Sequence, residues 1–95
     1  MRFAKVDANQ TQVVSALRAA GAMVQSLATI GDGCPDLLVG HRGVTILMEV
    51  KDGKKPPSAR RLTPDQLEWH GKWNGGTLCV VDGAEAALRV IGAIE

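Results

Sequence analysis

Two strand-like runs separated by only two residues constrain the fold of this chain more than any other feature. The runs are 37–41 and 44–48, and Arg42-Gly43 lies between them. A two-residue connection between apolar runs predicts an antiparallel β-hairpin. Because Arg-Gly is a weaker turn signal than Asn-Gly, a longer loop over 41–43 is the alternative.

The predicted hairpin brings three charged side chains together. Counting from the turn places Asp36 opposite Glu49, and Lys51 shares a face with Glu49 because alternate residues of a strand do so. A register shift of two residues would keep these faces, whereas a shift of one would send Asp36 to the opposite face.

A divalent cation is the best explanation for this trio. Opposed like charges destabilise a strand pair unless a hard cation lies between them, a pattern typical of metal-dependent phosphodiester chemistry. A solvated, salt-bridged hairpin is the alternative, but the flanking residues are apolar on both faces, which makes an unliganded trio costly. Leu38 and Leu47 share one face. The other face carries Leu37, Val39, Ile46, Met48 and Val50, so we expect helices on both sides of the sheet.

Length and composition predict one domain over residues 1–95, with enough apolar residues to form a core. The net charge of +1 gives no global sign of nucleic-acid binding. We find no signal peptide and no run near the roughly 20 residues of a membrane span. We therefore expect a cytoplasmic protein that does not bind membranes. Cys34 and Cys79 have no zinc-site spacing and are expected to be reduced, partly buried thiols.

The elements are predicted in the order αβββαβα, a mixed central sheet flanked by helices. A first helix is expected over 8–20, and the first strand over 22–28. A second helix is expected to run from Pro64 through Trp73, with Thr63 as N-cap and Gln66 completing a capping box. A strand over 77–81 follows, and Asp82-Gly83-Ala84-Glu85 is expected to cap a last helix. That helix would carry Leu88, Ile91 and Ile94 on one side.

The segment 51–61 between hairpin and second helix is rich in basic residues and is predicted to be a mobile loop. It is either a solvated connection or a phosphate-contacting segment, because it leaves the charged strand directly. Its candidate DNA-binding residues are Lys54, Lys55, Arg60 and Arg61. Trp69 and Trp73 form one helix stripe, which favours packing over base stacking. His70 is expected to be partly exposed, and neither it nor His41 in the turn has an evident partner.

These motifs resemble the PD-(D/E)XK nuclease superfamily and, within it, the short stand-alone form of the virus-type replication-repair nuclease (VRR-NUC) domain carried by phages. The resemblance covers nearly the whole chain, and it implies that a phage-encoded member would act in the host cytoplasm. It is carried by Leu-Arg-Ala-Ala-Gly at 17–21, the segment 33–40, Glu49-Val50-Lys51, and Leu-Thr-Pro-Asp-Gln at 62–66.

The resemblance implies roles for these residues. Asp36, Glu49 and the Val50 backbone carbonyl would be ligands of Mg²⁺ or Mn²⁺. Lys51 would orient the attacking water or neutralise the charge developing on the phosphate. Gln66 is explained equally well by its capping box and by a place beside Lys51 in the active site.

Gln12 departs from the family pattern. Many members have a glutamate on the first helix that reaches the metal, and Gln12 stands at the corresponding position, where it could ligate only weakly. An inactivating Glu→Gln change is the other interpretation, and Asp7 or Asp32 could substitute for the missing carboxylate.

The sequence therefore predicts a metal-dependent DNA endonuclease. By resemblance to Holliday-junction resolvases, we expect selectivity for four-way or other branched DNA and a homodimer that cuts opposed strands. One alternative is a catalytically silent DNA-binding module on a nuclease scaffold, and another is a nuclease acting on plain duplex or single-stranded DNA.

Overall fold

A computed structural model describes residues 8–95 and shows the predicted element order. Three α-helices and four strands make up this part of the chain. The helices are α1 (Ala8–Ala19), α2 (Pro64–Lys72) and α3 (Ala84–Val90), and the strands are β1 (Met23–Ser26), β2 (Leu37–His41), β3 (Val44–Val50) and β4 (Thr77–Val81). Within residues 8–95, no helix has the length and apolar character that a membrane span requires.

The sheet is mixed, with spatial order β1-β2-β3-β4. The first three strands form an antiparallel meander, and β4 pairs in parallel with β3 after the α2 crossover. Because parallel neighbours need a long connection, the crossover between β3 and β4 has room for both the basic segment and α2. This arrangement is the mixed central sheet flanked by helices that the sequence predicted.

The hairpin between β2 and β3 has the predicted register and turn. Pairs run from Leu37 with Met48 to His41 with Val44. Arg42 and Gly43 both have positive φ, 49° and 82°, as a tight type I′ connection requires. The longer loop and the one-residue shift are therefore wrong, and the next pair beyond the ladder is Asp36 with Glu49.

The core lies on one face of the sheet, beneath α1 and α3. Its buried members include Val13, Leu17, Val24, Leu37, Val39, Ile46, Met48, Val50, Val81 and Ala87. The hairpin residues predicted to share this face do so. The expectation of helices on both faces is confirmed, since α2 contacts the second face at Glu49 and Lys51. Leu38 and Val80 on that face remain 38% and 48% exposed.

The ends of several elements differ from the predictions. β1 is shorter than expected, and α2 ends at Lys72 with Trp73 as its C-cap. The N-cap of α3 is Gly83, which has no side chain to donate or accept a capping bond, so Asp82 does not cap this helix. Gly92, with φ of 77°, follows the last turn of α3 and leaves Ile94 outside it.

The segment predicted as a mobile loop holds local structure. A 3₁₀ turn covers Pro57–Arg60. Closer to β3, the backbone N–H of Gly53 donates to the Asp82 carbonyl at 3.0 Å, and that of Lys54 to the Asp52 carboxylate at 2.9 Å. Proline, a local turn bond and a long-range bond to Asp82 therefore give local structure to a segment that its composition alone marks as irregular.

Candidate active site

Asp36 is held across the hairpin by the backbone of β3. Its Oδ2 accepts a hydrogen bond from the Val50 N–H at 2.8 Å. The carboxyl group therefore lies beside the end of β3, where the register places Glu49. The charge pair that the sequence predicted is brought together by this one strand pairing.

Glu49 is a buried acid beside another acid. Its side chain is 1% exposed, and its Oε1 has no hydrogen-bond partner in the described part of the chain. Burial raises the pKa of Glu49 from 4.5 to about 9, helped by a hydrogen bond and the negative charge of Asp36, while Lys51 acts in the opposite direction. In the absence of an added cation, the pair thus holds a proton near neutral pH.

Lys51 is fixed by Gln66 on α2. Its Nζ donates to the Gln66 Oε1 at 2.8 Å, and the same oxygen accepts from the Thr63 N–H at 2.9 Å. The Thr63 Oγ1 completes the capping box by accepting a hydrogen bond from the Gln66 N–H at 3.3 Å. Gln66 therefore has both placements that the sequence left open, since one amide oxygen caps the helix and holds the lysine.

Asn9 makes a further contact with the site, at Lys51, that the sequence did not predict. Its Nδ2 donates to the Lys51 carbonyl at 2.7 Å, and the Lys51 N–H donates to the Val81 carbonyl at 2.8 Å. The last residue of the charged trio is thus held from both α1 and β4. An asparagine in the first turn of a helix is easily taken for a cap, which hides such a long-range contact.

Gly33 fixes the position of α2 relative to the hairpin. A Cβ atom at this position would lie 2.2 Å from the Asp65 carbonyl oxygen, and the φ of Gly33 is 84°. Only glycine permits this approach. The first turn of α2 can therefore rest on the loop leading to Asp36, which brings Gln66 within reach of Lys51.

His70 is partly exposed, as expected, but it lies at the site and faces Glu49, a neighbour that the sequence did not indicate. Its side chain is 13% exposed, and its Nε2 is 3.5 Å from the Glu49 Oε1. Burial and the nearby Lys51 charge lower the pKa of His70. The available sequence signal was its spacing of four residues from Gln66, which puts both on one face of α2.

The structure does not bring Gln12 to the charged trio. Gln12 is exposed, whereas Gln10 is buried on the same side of α1 as Val13 and Leu17. Two residues correspond to about 200° of helix rotation, so Gln12 points away from the sheet. Its interpretation as a weak metal ligand is not supported by this placement. Asp7 lies outside the described residues, and Asp32 is exposed in a tight turn with φ of 56°.

The candidate DNA-binding residues lie in the connection between β3 and α2. Lys54, Lys55 and Arg61 are exposed, and Arg60 is half-buried. The two tryptophans of α2 stack on each other with ring centroids 5.3 Å apart, outside the main core, and Trp73 is 40% exposed. The packing predicted for them is thus mainly with each other.

Both thiols are half-buried, and burial raises the pKa of Cys34 and of Cys79.

Fold and site together define a small α/β domain of the PD-(D/E)XK nuclease type. A search of solved structures returns a VRR_NUC domain that is 31% identical to this chain with a TM-score of 0.64, and the match covers 90% of this chain and 92% of that one. The chain belongs to the VRR-NUC family and is a nuclease domain of that family. A scan against protein-family models and a search of curated proteins give no match.

The donor set fits a hard divalent cation, although no group of three or more His, Cys, Asp or Glu side chains within residues 8–95 is arranged to hold one. Two carboxylates and the backbone carbonyl of Val50 offer oxygen atoms, which Mg²⁺ prefers while it keeps several waters. The observation that favours this assignment is the buried Oε1 of Glu49, which has no hydrogen-bond partner among residues 8–95.

Proposed function

We propose that this protein is a metal-dependent DNA endonuclease whose active site comprises Asp36, Glu49, Lys51 and Gln66. The observation that carries the proposal is the buried Glu49 carboxyl next to the half-buried carboxyl of Asp36, with a lysine beside them. Two adjacent carboxylates removed from water are ionised together only if positive charge joins them. A divalent cation supplies that charge.

The ligands of the proposed metal centre are Asp36, Glu49 and the Val50 carbonyl. Bound Mg²⁺ or Mn²⁺ would acidify a coordinated water and polarise a phosphoryl oxygen. The hydrogen bond from the Val50 N–H fixes the Asp36 carboxylate, and the β2–β3 register aligns Glu49 with it. The protein thus pre-positions its oxygens before the substrate arrives.

Lys51 is proposed to act on the phosphate and on the attacking water. Its ammonium is a point charge with three donors, one of which is occupied by the Gln66 amide oxygen. The remaining donors are available for a phosphate oxygen and a water. Gln66 is proposed as the residue that holds this ammonium in place, which favours the transition state by preorganisation.

DNA is proposed to lie across the site with its backbone against the basic segment. Lys54, Lys55, Arg60 and Arg61 would neutralise flanking phosphates without reading sequence. Preference for four-way or other branched DNA is proposed from the family resemblance alone, because fold and site chemistry do not specify the branch.

A homodimer is proposed from the uncovered side of the sheet. Leu38 and Val80 stay partly exposed on the same face as the site. A second copy would cover such apolar surface, and two-fold symmetry would give two sites for opposed strands. Light scattering after size exclusion should give twice the 10.0 kDa chain mass, and a monomer at all concentrations would contradict the dimer.

Cleavage of a labelled four-way junction tests the activity. Matched duplex and single strand are assayed beside it with Mg²⁺, with Mn²⁺ and with chelator, using this chain and its Glu49→Ala and Lys51→Met variants. Metal-dependent, symmetrical nicking of the junction that both variants lack is the expected result. Equal cleavage of all three substrates would support nuclease activity but contradict the preference for branched DNA.

A catalytically silent DNA-binding module is the second candidate. It is favoured by one observation: α1 has no acidic residue that could add a carboxylate to the site, and Gln12 is an exposed amide. A folded chain that binds junctions and cuts none of the substrates would support this candidate over the enzyme.

A further inference from the structure

α2 presents two side chains to β3 at matching intervals. Gln66 and His70 are separated by four residues, about 6 Å along a helix axis. Glu49 and Lys51 are separated by two residues, about 6.6–6.8 Å along a strand. Gln66 contacts Lys51 and His70 faces Glu49, so one helix face is in register with one strand face.

The contact between His70 and Glu49 is incomplete. The Nε2 and Oε1 atoms are 3.5 Å apart, and each is buried without a hydrogen-bond partner in the described residues. An N–H···O bond has a length of about 2.7–3.2 Å. A movement of roughly half an ångström would therefore give each of these two atoms its missing partner.

We propose that His70 is a positioning residue for the metal ligand Glu49. In the loaded site its Nε2–H donates to the Oε1 of the ionised carboxylate, which fixes the plane of that carboxylate toward Asp36 and the cation. The inference rests on the proposed metal site. It adds a residue of α2 that holds the ligand, as partners of metal-bound side chains commonly do.

Calorimetric titration with Mn²⁺ alone tests this role without measuring activity. Loss of such an outer partner lowers metal affinity by about 10–100-fold, and we expect this loss in His70→Leu. His70→Gln should bind within a few-fold of the unchanged chain, because its amide N–H can reach the position of Nε2. The matched control is His41→Leu, which removes the half-buried histidine at the far end of the hairpin and should leave Mn²⁺ binding unchanged.

Mn²⁺ affinity in His70→Leu equal to that of the unchanged chain would overturn the proposal. If His70→Leu does not fold in chelator, the comparison moves to His70→Asn, whose shorter side chain leaves its amide short of Glu49. Equal affinity in His70→Asn and His70→Gln would then overturn it. Failure of the metal site itself gives a different result, since the unchanged chain would bind no Mn²⁺ and would match Glu49→Gln.

Discussion

Replacing Glu49 with glutamine should stabilise the metal-free protein. In the folded state the pKa of Glu49 is raised to about 9 from 4.5, so between these values the folded chain holds a proton that the unfolded chain has lost. Stability is therefore greatest below pH 4.5 and falls as pH rises through about 9. Glutamine has the shape of the protonated acid and takes up no proton on folding.

The size of the effect follows from the same linkage. Each pH unit above the unfolded-state pKa of 4.5 lowers the free energy of unfolding by about 1.4 kcal/mol. At pH 7 the loss is about 3 kcal/mol as an upper estimate. For a domain of this size about 1 kcal/mol corresponds to roughly 4–8 °C in Tm. Glu49→Gln should thus melt some 10 °C or more above the unchanged chain in chelator at pH 7.

Urea denaturation in chelator at several pH values between 5 and 9 measures the difference. It should grow with pH, and saturating Mg²⁺ should stabilise the unchanged chain while leaving Glu49→Gln unaffected. The control is Glu68→Gln, whose side chain is 66% exposed and should change stability by less than about 0.5 kcal/mol. A difference that is absent, or constant across this pH range, would refute the reasoning.

Three further substitutions test the contacts that place the site. Gly33→Ala should lower the free energy of unfolding by more than about 2 kcal/mol, because the added Cβ would lie 2.2 Å from the α2 backbone. The control is Gly31→Ala, since Gly31 also has positive φ but a Cβ there would have no atom within 4 Å. Equal losses of stability in urea would contradict this explanation. Asn9→Ala should lower the free energy of unfolding by about 1 kcal/mol, because it loses the hydrogen bond to the Lys51 carbonyl, and it should also slow cleavage. Lowered stability with unchanged kcat would show that Asn9 has a purely structural role. Arg42→Asn should raise stability by about 0.5 kcal/mol, since asparagine tolerates positive φ better, and a lower urea midpoint would contradict it.

The hairpin was predictable because its signals are local. Two apolar runs and a two-residue turn fix which residues pair, and the pairing alone brings Asp36 to Glu49. The start of α2 was also predictable, because its cap, its proline and its glutamine lie within four residues. In such segments neighbouring residues determine the geometry.

The contacts between elements could not be read in this way. His70 and Asn9 reach the site only because α2 and α1 pack at particular angles, and no local pattern encodes a helix angle. The extent to which α2 covers the second sheet face could not be predicted for the same reason. Alternating apolar residues indicate that a face can be covered, but they do not show how far one short helix extends across it.

The parallel pairing of β3 with β4 has a consequence for folding. The Lys51 N–H bonds to the Val81 carbonyl, thirty residues further along the chain. During synthesis the meander and α1 can form first, but the end of β3 that carries Glu49 and Lys51 lacks its neighbour until β4 has left the ribosome and docked. The candidate site is therefore among the last parts of the molecule to be assembled, and a growing chain would remain without nuclease geometry until its final strand is in place.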